Sequence, residues 1–302
     1  MNKKIIVVGS LNMDLVVKAS RHPKPGETLL GSDFKTYHGG KGANQAVAAA
    51  KLSDPGSVIM IGRVGNDSFG ENLLKGVKTA GVDSQFIRSD STAPSGIALI
   101  TIDSEGQNTI VVAPGANSNL TPDDVFSSEI AFPSAGVLLM QLETPLETNI
   151  AAIKLARKHG LQCILNPAPA VPLSPSLLQQ IDVLIPNQTE LALLANTNDL
   201  MQGIQTLLAT GVKNIVVTLG SNGVIFANSD EVFEISAHKV RAVDTVAAGD
   251  AFAGAFAVAL SEGKNILKAT IWGNAAGAIA VTRPGAQPSL PTKEEIRALI
   301  GD

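Results

Sequence analysis

Short apolar runs alternate with longer amphipathic segments along the first two thirds of the chain. Six of these runs have the length of buried β-strands, namely residues 5–9, 58–61, 137–141, 163–166, 183–185 and 215–218. The segments between them are typical of helices, namely residues 43–52, 69–80, 146–159, 189–194 and 201–210. This alternation predicts an α/β fold with a mostly parallel central sheet and helices on both faces.

Two segments interrupt the alternation and predict a small β-sheet lid. Residues 13–38 contain extended pieces without a helix, and residues 96–102 and 109–113 are typical of a hairpin around a turn at 103–106. We expect the lid to comprise about residues 13–38 and 95–113 and to attach to one edge of the main sheet. Residues 1–302 then form a single α/β domain that carries this lid.

The last third of the chain is rich in alanine and glycine. Two long helices are predicted there, over residues 248–260 and 266–282. Small side chains let helices pack closely, and they also let a ligand approach the backbone. We therefore expect tight helix packing in this region, close to any ligand that binds there.

Composition narrows the class of protein. The chain has 302 residues, of which 45% are hydrophobic and 17% charged, and its net charge of -4 argues against a general nucleic-acid binder. It lacks a stretch of about 18 apolar residues, which argues against a membrane span. Cys163 is the only cysteine, so an intrachain disulfide is excluded and a reducing, cytoplasmic location is expected.

The stretch 244–250 is the strongest candidate for chemistry. Small residues separate Asp244 from Asp250, and the stretch runs into the apolar helix predicted at 248–260. A helix start presents unpaired backbone N–H groups and a positive dipole end, which favour an anion. Such donors stabilise a phosphoryl group in transfer, and an Asp can accept the proton of an attacking hydroxyl. The alternative is that Asp250 only stabilises the helix start.

A glycine-rich stretch, residues 38–44, leads into another predicted helix. Its glycines allow close contact with a ligand, Lys41 could neutralise phosphate charge, and Asn44 lies in the first helical turn. Its spacing differs from that of a P-loop, and a structural role explains the stretch equally well.

Asn12 and Asp14 follow the first predicted strand and are separated by one residue. In an extended chain both side chains point the same way. A paired amide and carboxylate suit the vicinal hydroxyls of a sugar. The alternative is that both residues form a turn after the strand.

Polar residues also follow the ends of later strands. Gln141 and Glu143 close one strand, and Asn187 and Glu190 follow another. Polar groups outside the carboxyl ends of parallel strands occupy the usual ligand position in open α/β sheets. Asn followed three residues later by Glu is also a capping box, and the Asn-Gly pair within 218–223 also favours a hairpin. Both stretches therefore keep a structural alternative.

Motifs of other enzyme classes are missing from the sequence. No G-x-G-x-x-G follows the first predicted strand, which argues against a dinucleotide-dependent oxidoreductase. Residues 220–223 lack the G-x-S-x-G spacing of a hydrolase nucleophile. The four histidines are scattered without the spacing of metal ligands.

The ordered set of stretches resembles the ribokinase branch of the carbohydrate and nucleoside kinases. The matching stretches cover nearly the whole chain, namely residues 7–14, 39–44, 140–143, 166–170, 186–190, 218–223, 244–250 and 280–289. Each is modest alone, but the set in this order is highly specific. The resemblance implies a ribokinase-like α/β fold with a β lid that closes over the sugar and supplies a homodimer contact. It also implies ATP-dependent transfer of the γ-phosphate to the 5-hydroxyl of D-ribose.

The resemblance also implies a role for each site residue. The implied sugar ligands are Asn12, Asp14, Gly40, Lys41, Asn44, Glu143 and Asp250, of which Asp250 is also the catalytic base. The implied anion hole consists of the backbone N–H groups of Ala247, Ala248 and Gly249. The implied ATP contacts are Asn187, Thr218, Gly220, Ser221, Gly223, Gly249 and Asn274.

Two cations are implied by the same resemblance. Glu190 would place Mg²⁺ through water. Potassium or another monovalent cation would be held beside the anion hole by oxygen ligands from Asp244, Val246, Ala280, Arg283, Gly285 and Ser289.

Two positions depart from the family pattern. Ala251 stands where relatives commonly have Thr, and Ala253 stands where a polar Asn is often present. Within the family, the alternative substrates are deoxyribose, another sugar or a nucleoside. From another class, the alternative is a non-catalytic sugar-binding sensor, although a sensor has no need for Asp250, Lys41 and Glu190.

Overall fold

The computed structural model describes residues 3–302, which form two β-sheets. Their strands are β1 Lys4–Val8, β2 Asn12–Lys18, β3 Ser32–Gly39, β4 Val58–Gly65, β5 Asp83–Asp90, β6 Gly96–Ile102, β7 Asn108–Ala113, β8 Ala135–Met140, β9 Gln162–Leu165, β10 Val183–Leu184, β11 Asn214–Thr218, β12 Val224–Ala227 and β13 Val232–Ile235. The larger sheet has the strand order β13-β12-β11-β10-β9-β8-β1-β4-β5, and the smaller has the order β3-β2-β6-β7.

Most of the larger sheet is parallel. The strands from β11 through β1 to β5 run in one direction, whereas β12 and β13 are added antiparallel at one edge. Alternate residues of β1 enter different apolar clusters, because Ile5 and Val7 point to one face and Ile6 and Val8 to the other. Burial on both faces explains why such a strand is an unbroken apolar run.

Helices cover both faces of this sheet. They are α1 Lys41–Lys51, α2 Ser68–Thr79, α3 Pro122–Phe126, α4 Leu146–His159, α5 Pro175–Leu178, α6 Gln188–Ala195, α7 Leu200–Ala209, α8 Ala248–Ser261, α9 Ile266–Ala280 and α10 Lys293–Ile300. One apolar cluster contains α1, α2, α8, α9 and α10, and the other contains α3 to α7. Within residues 3–302, none of the helices combines the length and the apolar character that a membrane crossing requires.

The smaller sheet is the predicted lid. Strand β2 pairs antiparallel with β3 and parallel with β6, and β6 and β7 form the predicted hairpin. Only residues 9–11 separate β1 from β2, so the lid begins at the carboxyl end of a central strand. The lid therefore lies where an open α/β sheet usually binds its ligand.

The predicted mostly parallel α/β architecture with a β lid is confirmed. The helix predicted at residues 146–159 and the strand predicted at residues 96–102 have those bounds, and the other predicted strands and helices differ by a few residues at their ends. The sequence does not predict β5 and β13, which are the two edge strands of the larger sheet, or β12, which lies next to β13. The edge strands β5 and β13 mix polar and apolar residues because they are only partly buried, so they lack the apolar run that marks a central strand. Strand β12 is buried and apolar, but it has only four residues.

Helices α1 and α8 lie close together because their facing residues are small. A Cβ atom at Gly254 of α8 would lie 2.6 Å from Ala48 Cβ, 2.9 Å from the Gln45 carbonyl oxygen and 3.0 Å from the Ala49 nitrogen. Two of these atoms belong to the backbone of α1, which cannot rotate away. Glycine at this position therefore sets the distance between the two helices whose first turns carry the candidate site.

Replacing Gly254 by Ala should destabilise the protein although alanine is the better helix former. The added methyl group must push α1 away from α8, and such overpacking costs about 1–3 kcal/mol. The free energy of unfolding measured in urea checks this. The matched control is Gly203→Ala in α7, where the nearest atoms belong to the flexible Leu191 side chain at 3.2 Å and 3.3 Å. Equal stability effects in the two variants would contradict the close-packing argument.

Candidate active site

The glycine-rich stretch lies against the link between β1 and β2. Gly40 has a φ of 84°, and a Cβ atom there would lie 2.7 Å from the Asn12 nitrogen and 2.9 Å from Leu11 Cα. A Cβ atom at Gly42 would lie 2.5 Å from the Gly9 carbonyl carbon. Glycine at these two positions lets the start of α1 touch the start of the lid, which brings two of the predicted stretches together.

Glu143 holds the first residue of α1. Its Oε2 atom accepts the Lys41 backbone N–H at 2.9 Å and the Ser10 hydroxyl at 2.5 Å. Burial alone would lower the pKa of the Lys41 ammonium, but the negative charges of Asp250, Glu143 and Glu190 outweigh it, and the pKa is raised. Lys41 is therefore a permanent positive charge among three carboxylates.

Asn12 and Asp14 begin β2 and lie on the same face of the lid, as predicted. The Asn12 Oδ1 atom accepts a hydrogen bond from Asn117 Nδ2 at 2.8 Å, which fixes the orientation of the Asn12 amide. The Asp14 carboxylate lies over Gly39, where a Cβ atom would be 2.2 Å from Asp14 Oδ2. Burial, together with the nearby negative charges of Glu143 and Asp250, raises the pKa of Asp14 to about 7.

Asp250 lies in the first turn of α8, with 6% of its surface exposed. Its Oδ2 atom accepts a hydrogen bond from Asn44 Nδ2 and its Oδ1 atom accepts one from Gln45 Nε2, both at 3.0 Å. Burial raises the pKa of Asp250, while Lys41 and the two amide donors act in the opposite direction. The result is a proton acceptor whose position is set by helix α1.

The turn before α8 presents backbone N–H groups. Ala247 precedes the helix with a left-handed φ of 59°, a conformation that costs a non-glycine residue about 1–2 kcal/mol. Within residues 3–302, the N–H groups of Ala247, Gly249 and Asp250 have no hydrogen-bond acceptor, whereas the Ala248 N–H donates to the Thr245 carbonyl at 3.3 Å. Of the predicted set Ala247, Ala248 and Gly249, the N–H groups of Ala247 and Gly249 are available, together with that of Asp250, while the Ala248 N–H is already engaged.

A pocket of about 200 Å³ opens beside this turn. Its lining residues come from both halves of the chain, namely Lys41, Asn166, Ala168, Ile185, Asn187, Glu190, Thr218, Thr245, Ala247, Gly249 and Asp250. Burial raises the pKa of Glu190, although the Asn187 backbone N–H and Lys41 act against it. A pocket with N–H donors, an ammonium and a partly desolvated carboxylate suits a phosphate chain accompanied by a cation.

The capping box at Asn187 is present as well. Asn187 Oδ1 accepts the Glu190 N–H at 2.8 Å, and Glu190 Oε2 accepts the Asn187 N–H at 2.9 Å. Both residues also line the pocket. The structural and functional explanations of this stretch are therefore compatible, because each side chain caps α6 and still reaches the pocket.

The turn after β11 has the conformation that its glycines favour. Residues Gly220–Asn222, which include Ser221, form a 3₁₀ turn between β11 and the antiparallel β12, and Gly220 and Gly223 both have positive φ. Thr218, at the end of β11, lines the pocket. Asn274 in α9 donates from Nδ2 to the Ser236 carbonyl at 2.9 Å, so its nitrogen already has a protein partner.

Two of the residues predicted to hold a monovalent cation, Val246 and Gly285, donate hydrogen bonds to Asp244. Asp244 Oδ1 accepts the Val246 N–H at 3.0 Å, and Oδ2 accepts the Gly285 N–H at 2.8 Å. These two bonds tie the turn before α8 to the segment after α9. They also leave the Val246 and Gly285 carbonyl groups on neighbouring turns.

The other three predicted cation ligands can offer backbone oxygens or a hydroxyl. The Arg283 guanidinium pairs with Glu295, so only the Arg283 carbonyl could face a cation. The Ser289 hydroxyl donates to the Ala286 carbonyl at 2.7 Å, and Ala280 ends α9, where the helix dipole is negative. An oxygen-only donor set at a negative helix end fits a hard cation. Among His, Cys, Asp and Glu of residues 3–302, no group of three or more could hold a metal ion.

Some residues that contact the predicted site are not found from sequence. Gln45 follows Asn44 in an alanine-rich helix and belongs to no motif, and its partner Asp250 lies 205 residues later. Asn117 orients Asn12 from a short 3₁₀ helix that carries no motif, and Ser10 donates to Glu143 from the stretch 7–14, where no role was predicted for Ser10 itself. Only the mixture of polar residues in otherwise apolar stretches could have pointed to them.

The two positions that depart from the family pattern lie inside the core. Ala251 and Ala253 of α8 both have 0% exposure and belong to the apolar cluster that contains α1 and α9. They follow Asp250 by one and three residues but are packed away from solvent. Their small size therefore affects how α8 packs rather than what lines the pocket.

Comparison with known proteins identifies a family. Residues 2–293 match the model described as pfkB family carbohydrate kinase. The chain is 39% identical to the ribokinase of Staphylococcus aureus over 98% of this chain and 99% of that protein, and 36% identical to the deoxyribokinase of Salmonella typhi over 98% of each. A solved structure of Arabidopsis thaliana ribokinase complexed with ribose and ATP matches with a TM-score of 0.91, 35% identity and 100% of both chains covered.

Replacing Asp14 by Asn should stabilise the protein at neutral and alkaline pH. The carboxyl group has a pKa near 3.8 in the unfolded chain and about 7 in the folded protein, so between these values only the folded state keeps the proton. The free energy of unfolding of the unmodified protein therefore falls as pH rises through this window, and the variant lacks that loss. We expect a relative gain on the order of 2 kcal/mol between pH 5 and pH 8, measured in urea.

The matched control for this prediction is Asp33→Asn. Asp33 also belongs to the lid, but it is exposed, and its φ of 50° is one that Asn tolerates. This control should show no such gain. An Asp14→Asn variant that is less stable than the unmodified protein at pH 8 would show that burial of the Asp14 charge is not costly.

Proposed function

The chain belongs to the pfkB family of carbohydrate kinases, and on this basis we propose that it phosphorylates the 5-hydroxyl of D-ribose with ATP, giving ribose 5-phosphate and ADP. The observation that carries the proposal is the position of Asp250, a buried carboxylate beside free backbone N–H groups at the start of α8. A base and an anion site at one point are what phosphoryl transfer to a hydroxyl requires. The full-length similarity to proteins named ribokinase supports ribose as the acceptor.

The sugar would bind between the lid and the start of α1. In this proposal Asn12 and Asp14 bind vicinal ring hydroxyls, and their position on one face of β2 supports that role. The remaining sugar contacts are assigned to Gly40, Lys41, Asn44 and Glu143, which surround the same space. Because Asp14 has a pKa of about 7, two donating hydroxyls would favour its ionised form. The sugar would thus relieve the cost of burying that charge.

Transfer would proceed by attack of the sugar 5-oxygen on the γ-phosphorus of ATP. Asp250 accepts the hydroxyl proton, the new O–P bond forms, and the bond from the γ-phosphorus to the bridging oxygen breaks to release ADP. Backbone N–H groups at Ala247 and Gly249 bind the oxygens of the moving phosphoryl group, and the Asp250 N–H joins them; Ala248 would contribute only after releasing Thr245. Positioning and charge stabilisation then supply most of the rate.

The triphosphate would lie in the pocket between Lys41 and Asn187. Thr218, Gly220, Ser221 and Gly223 are assigned to the nucleotide because their turn follows a strand that ends at this pocket. Asn274 is assigned more peripherally, since its Nδ2 already donates to Ser236.

The magnesium ion is assigned to Glu190. Its carboxylate lies in the pocket and has its pKa raised by burial, so a nearby cation would favour its ionised form. Bound magnesium would neutralise charge on the β- and γ-phosphates. The family resemblance implies that Glu190 holds the ion through water, and its Oε2 atom also caps α6.

Potassium or another monovalent cation would lie between the turn before α8 and the segment after α9. The oxygen-only set at Asp244, Val246, Ala280, Arg283, Gly285 and Ser289 supports this assignment. When bound, the cation would add positive charge next to the anion hole. Asp244 also has a structural role. It fixes the position of both turns by accepting the Val246 and Gly285 N–H groups.

Deoxyribose is the second candidate substrate, since the deoxyribokinase of Salmonella typhi is also similar over the full length. The Asn12 and Asp14 pair favours a sugar with two adjacent hydroxyls, one of which deoxyribose lacks. A non-catalytic sugar sensor is disfavoured because the phosphoryl-transfer groups around Asp250 are held in place by specific hydrogen bonds.

A homodimer through the lid and a cytoplasmic location complete the proposal. Strand β7 is an open edge, and Ile110, Val111 and Leu99 are at least half exposed. Exposed apolar edge strands are normally covered, and a second copy of the lid offers the complementary edge. The free thiol of Cys163 is buried, and a single cysteine is compatible with a reducing compartment.

Asp250→Asn should abolish phosphoryl transfer and retain ribose binding. Loss of the proton acceptor should reduce ribose-dependent ADP release by on the order of 10²–10⁴-fold, measured in a coupled assay with magnesium and with either potassium or tetramethylammonium. Calorimetry with ribose should show that the site remains. The matched control is Asp199→Asn, which makes the same change at the start of α7, where Asn caps equally well. Near-normal turnover by Asp250→Asn would remove Asp250 from its role.

Val111→Glu should shift the protein from dimer to monomer. Two glutamates brought together on the lid faces would carry like charges into an apolar contact, and sedimentation velocity at several concentrations measures the effect. The matched control is Val232→Glu, on an exposed edge strand of the main sheet at 51% exposure. A dimer that survives Val111→Glu but dissociates with Val232→Glu would place the interface elsewhere.

A further inference from the structure

Three amide side chains form a hydrogen-bonded network that reaches Asp250. Gln45 Nε2 donates to Asp250 Oδ1 and to Asn166 Oδ1, both at 3.0 Å, and Gln45 Oε1 accepts from Gln141 Nε2 at 2.5 Å. Gln45 and Gln141 both have 0% exposure. Gln45 thus uses its amide nitrogen and its oxygen at once, on partners from three other parts of the chain.

A backbone carbonyl sets the direction of this network. Asn166 Nδ2 donates to the Ile185 carbonyl at 2.9 Å, so Asn166 Oδ1 faces Gln45 and can only accept. Gln45 must therefore present its NH₂ group on that side, and the same nitrogen reaches Asp250. A reversed Gln45 amide would place an oxygen against two acceptors, so only one orientation satisfies every bond.

The buried side-chain oxygen of Gln141 lowers the stability of the folded protein. Gln141 Oε1 is buried without a hydrogen-bond partner among residues 3–302, which is costly. Gly9 provides the space, since a Cβ atom there would lie 2.2 Å from Gln141 Oε1. An apolar side chain at this position would avoid the cost, so packing alone does not explain the amide. The NH₂ group of Gln141 explains why an amide is present, because it donates a hydrogen bond to the Gln45 side-chain oxygen.

We propose that Gln45, held by Gln141 and Asn166, is the positioning residue that orients the Asp250 carboxylate for proton transfer; this role rests on the proposed kinase function. A neutral amide suits the task because it fixes the carboxylate without adding a second positive charge, which would weaken the base. Lys41 already supplies a positive charge. The other ionisable groups that act on Asp250 are Glu143, Glu190 and Asp14.

Gln45→Glu tests the role with almost no change in volume. The variant sets a second carboxyl group against Asp250 Oδ1, and two carboxyl groups at this distance cannot both ionise easily. We expect the Asp250 titration, followed by ¹³C NMR of the carboxyl carbon, to move up by at least about one pH unit. The acidic limb of kcat/KM for ribose should move by the same amount. At pH values below the shifted limb the variant should lose on the order of tenfold in kcat/KM, and it should regain most of this loss at pH values above the limb.

Gln141→Leu and Gln205→Glu complete the test. Gln141→Leu releases only the Gln45 oxygen, so it should lower kcat several-fold while KM for ribose stays within about twofold, and it covers the case in which Gln45→Glu does not fold. Gln205→Glu makes the same charge change at an exposed position of α7 and should leave both titrations unchanged.

Unshifted NMR and kinetic titrations in Gln45→Glu, or an effect of Gln141→Leu on KM alone, would overturn the proposal. A shifted NMR titration in a protein that turns over no sugar would support the positioning role and refute the kinase function instead.

Discussion

The Asp250 carboxylate is buried at the start of α8, and its negative charge has lost most of the water that would stabilise it. Burial of this kind raises a carboxyl pKa and favours the neutral form, which is useless as a base. The surrounding residues oppose that tendency through the Lys41 ammonium and the amide donors of Asn44 and Gln45. Every donor in this set comes from the first turns of α1, so the chemistry depends on how α1 is held.

Close packing of small residues holds α1 in place. Gly40 and Gly42 bring its start against the link between the central sheet and the lid, and Gly254 lets α8 lie against its middle. One rigid helix therefore connects the lid, the base and the pocket. Asp14 shows the cost of this arrangement, since burial beside other carboxylates leaves it with a pKa of about 7. Such a site is destabilised without its ligand and stabilised when the ligand supplies the missing hydrogen bonds.

The sequence predicts structure best where neighbouring residues alone determine the local conformation and burial. Central strands are buried on both faces and are apolar throughout, and the turn that enters α8 combines small residues with Asp250, so both could be predicted. Strand β13 could not, because it has only four residues at a half-exposed edge, too few to show a pattern. Gln45 could not either, because its role exists only through partners that folding brings from distant positions. The engagement of the Ala248 N–H with Thr245 depends on the local turn geometry, which a motif does not specify.

The most direct measurement is the identity of the phosphorylated product. Incubation of the protein with D-ribose, ATP, magnesium and potassium, followed by ³¹P NMR with proton correlation, locates the phosphorus on one sugar carbon. This account predicts a single phosphomonoester coupled to the C5 protons, formed in step with ADP. Phosphate on another carbon would contradict the placement of the 5-hydroxyl beside Asp250. Release of inorganic phosphate without a sugar ester would contradict the kinase function itself.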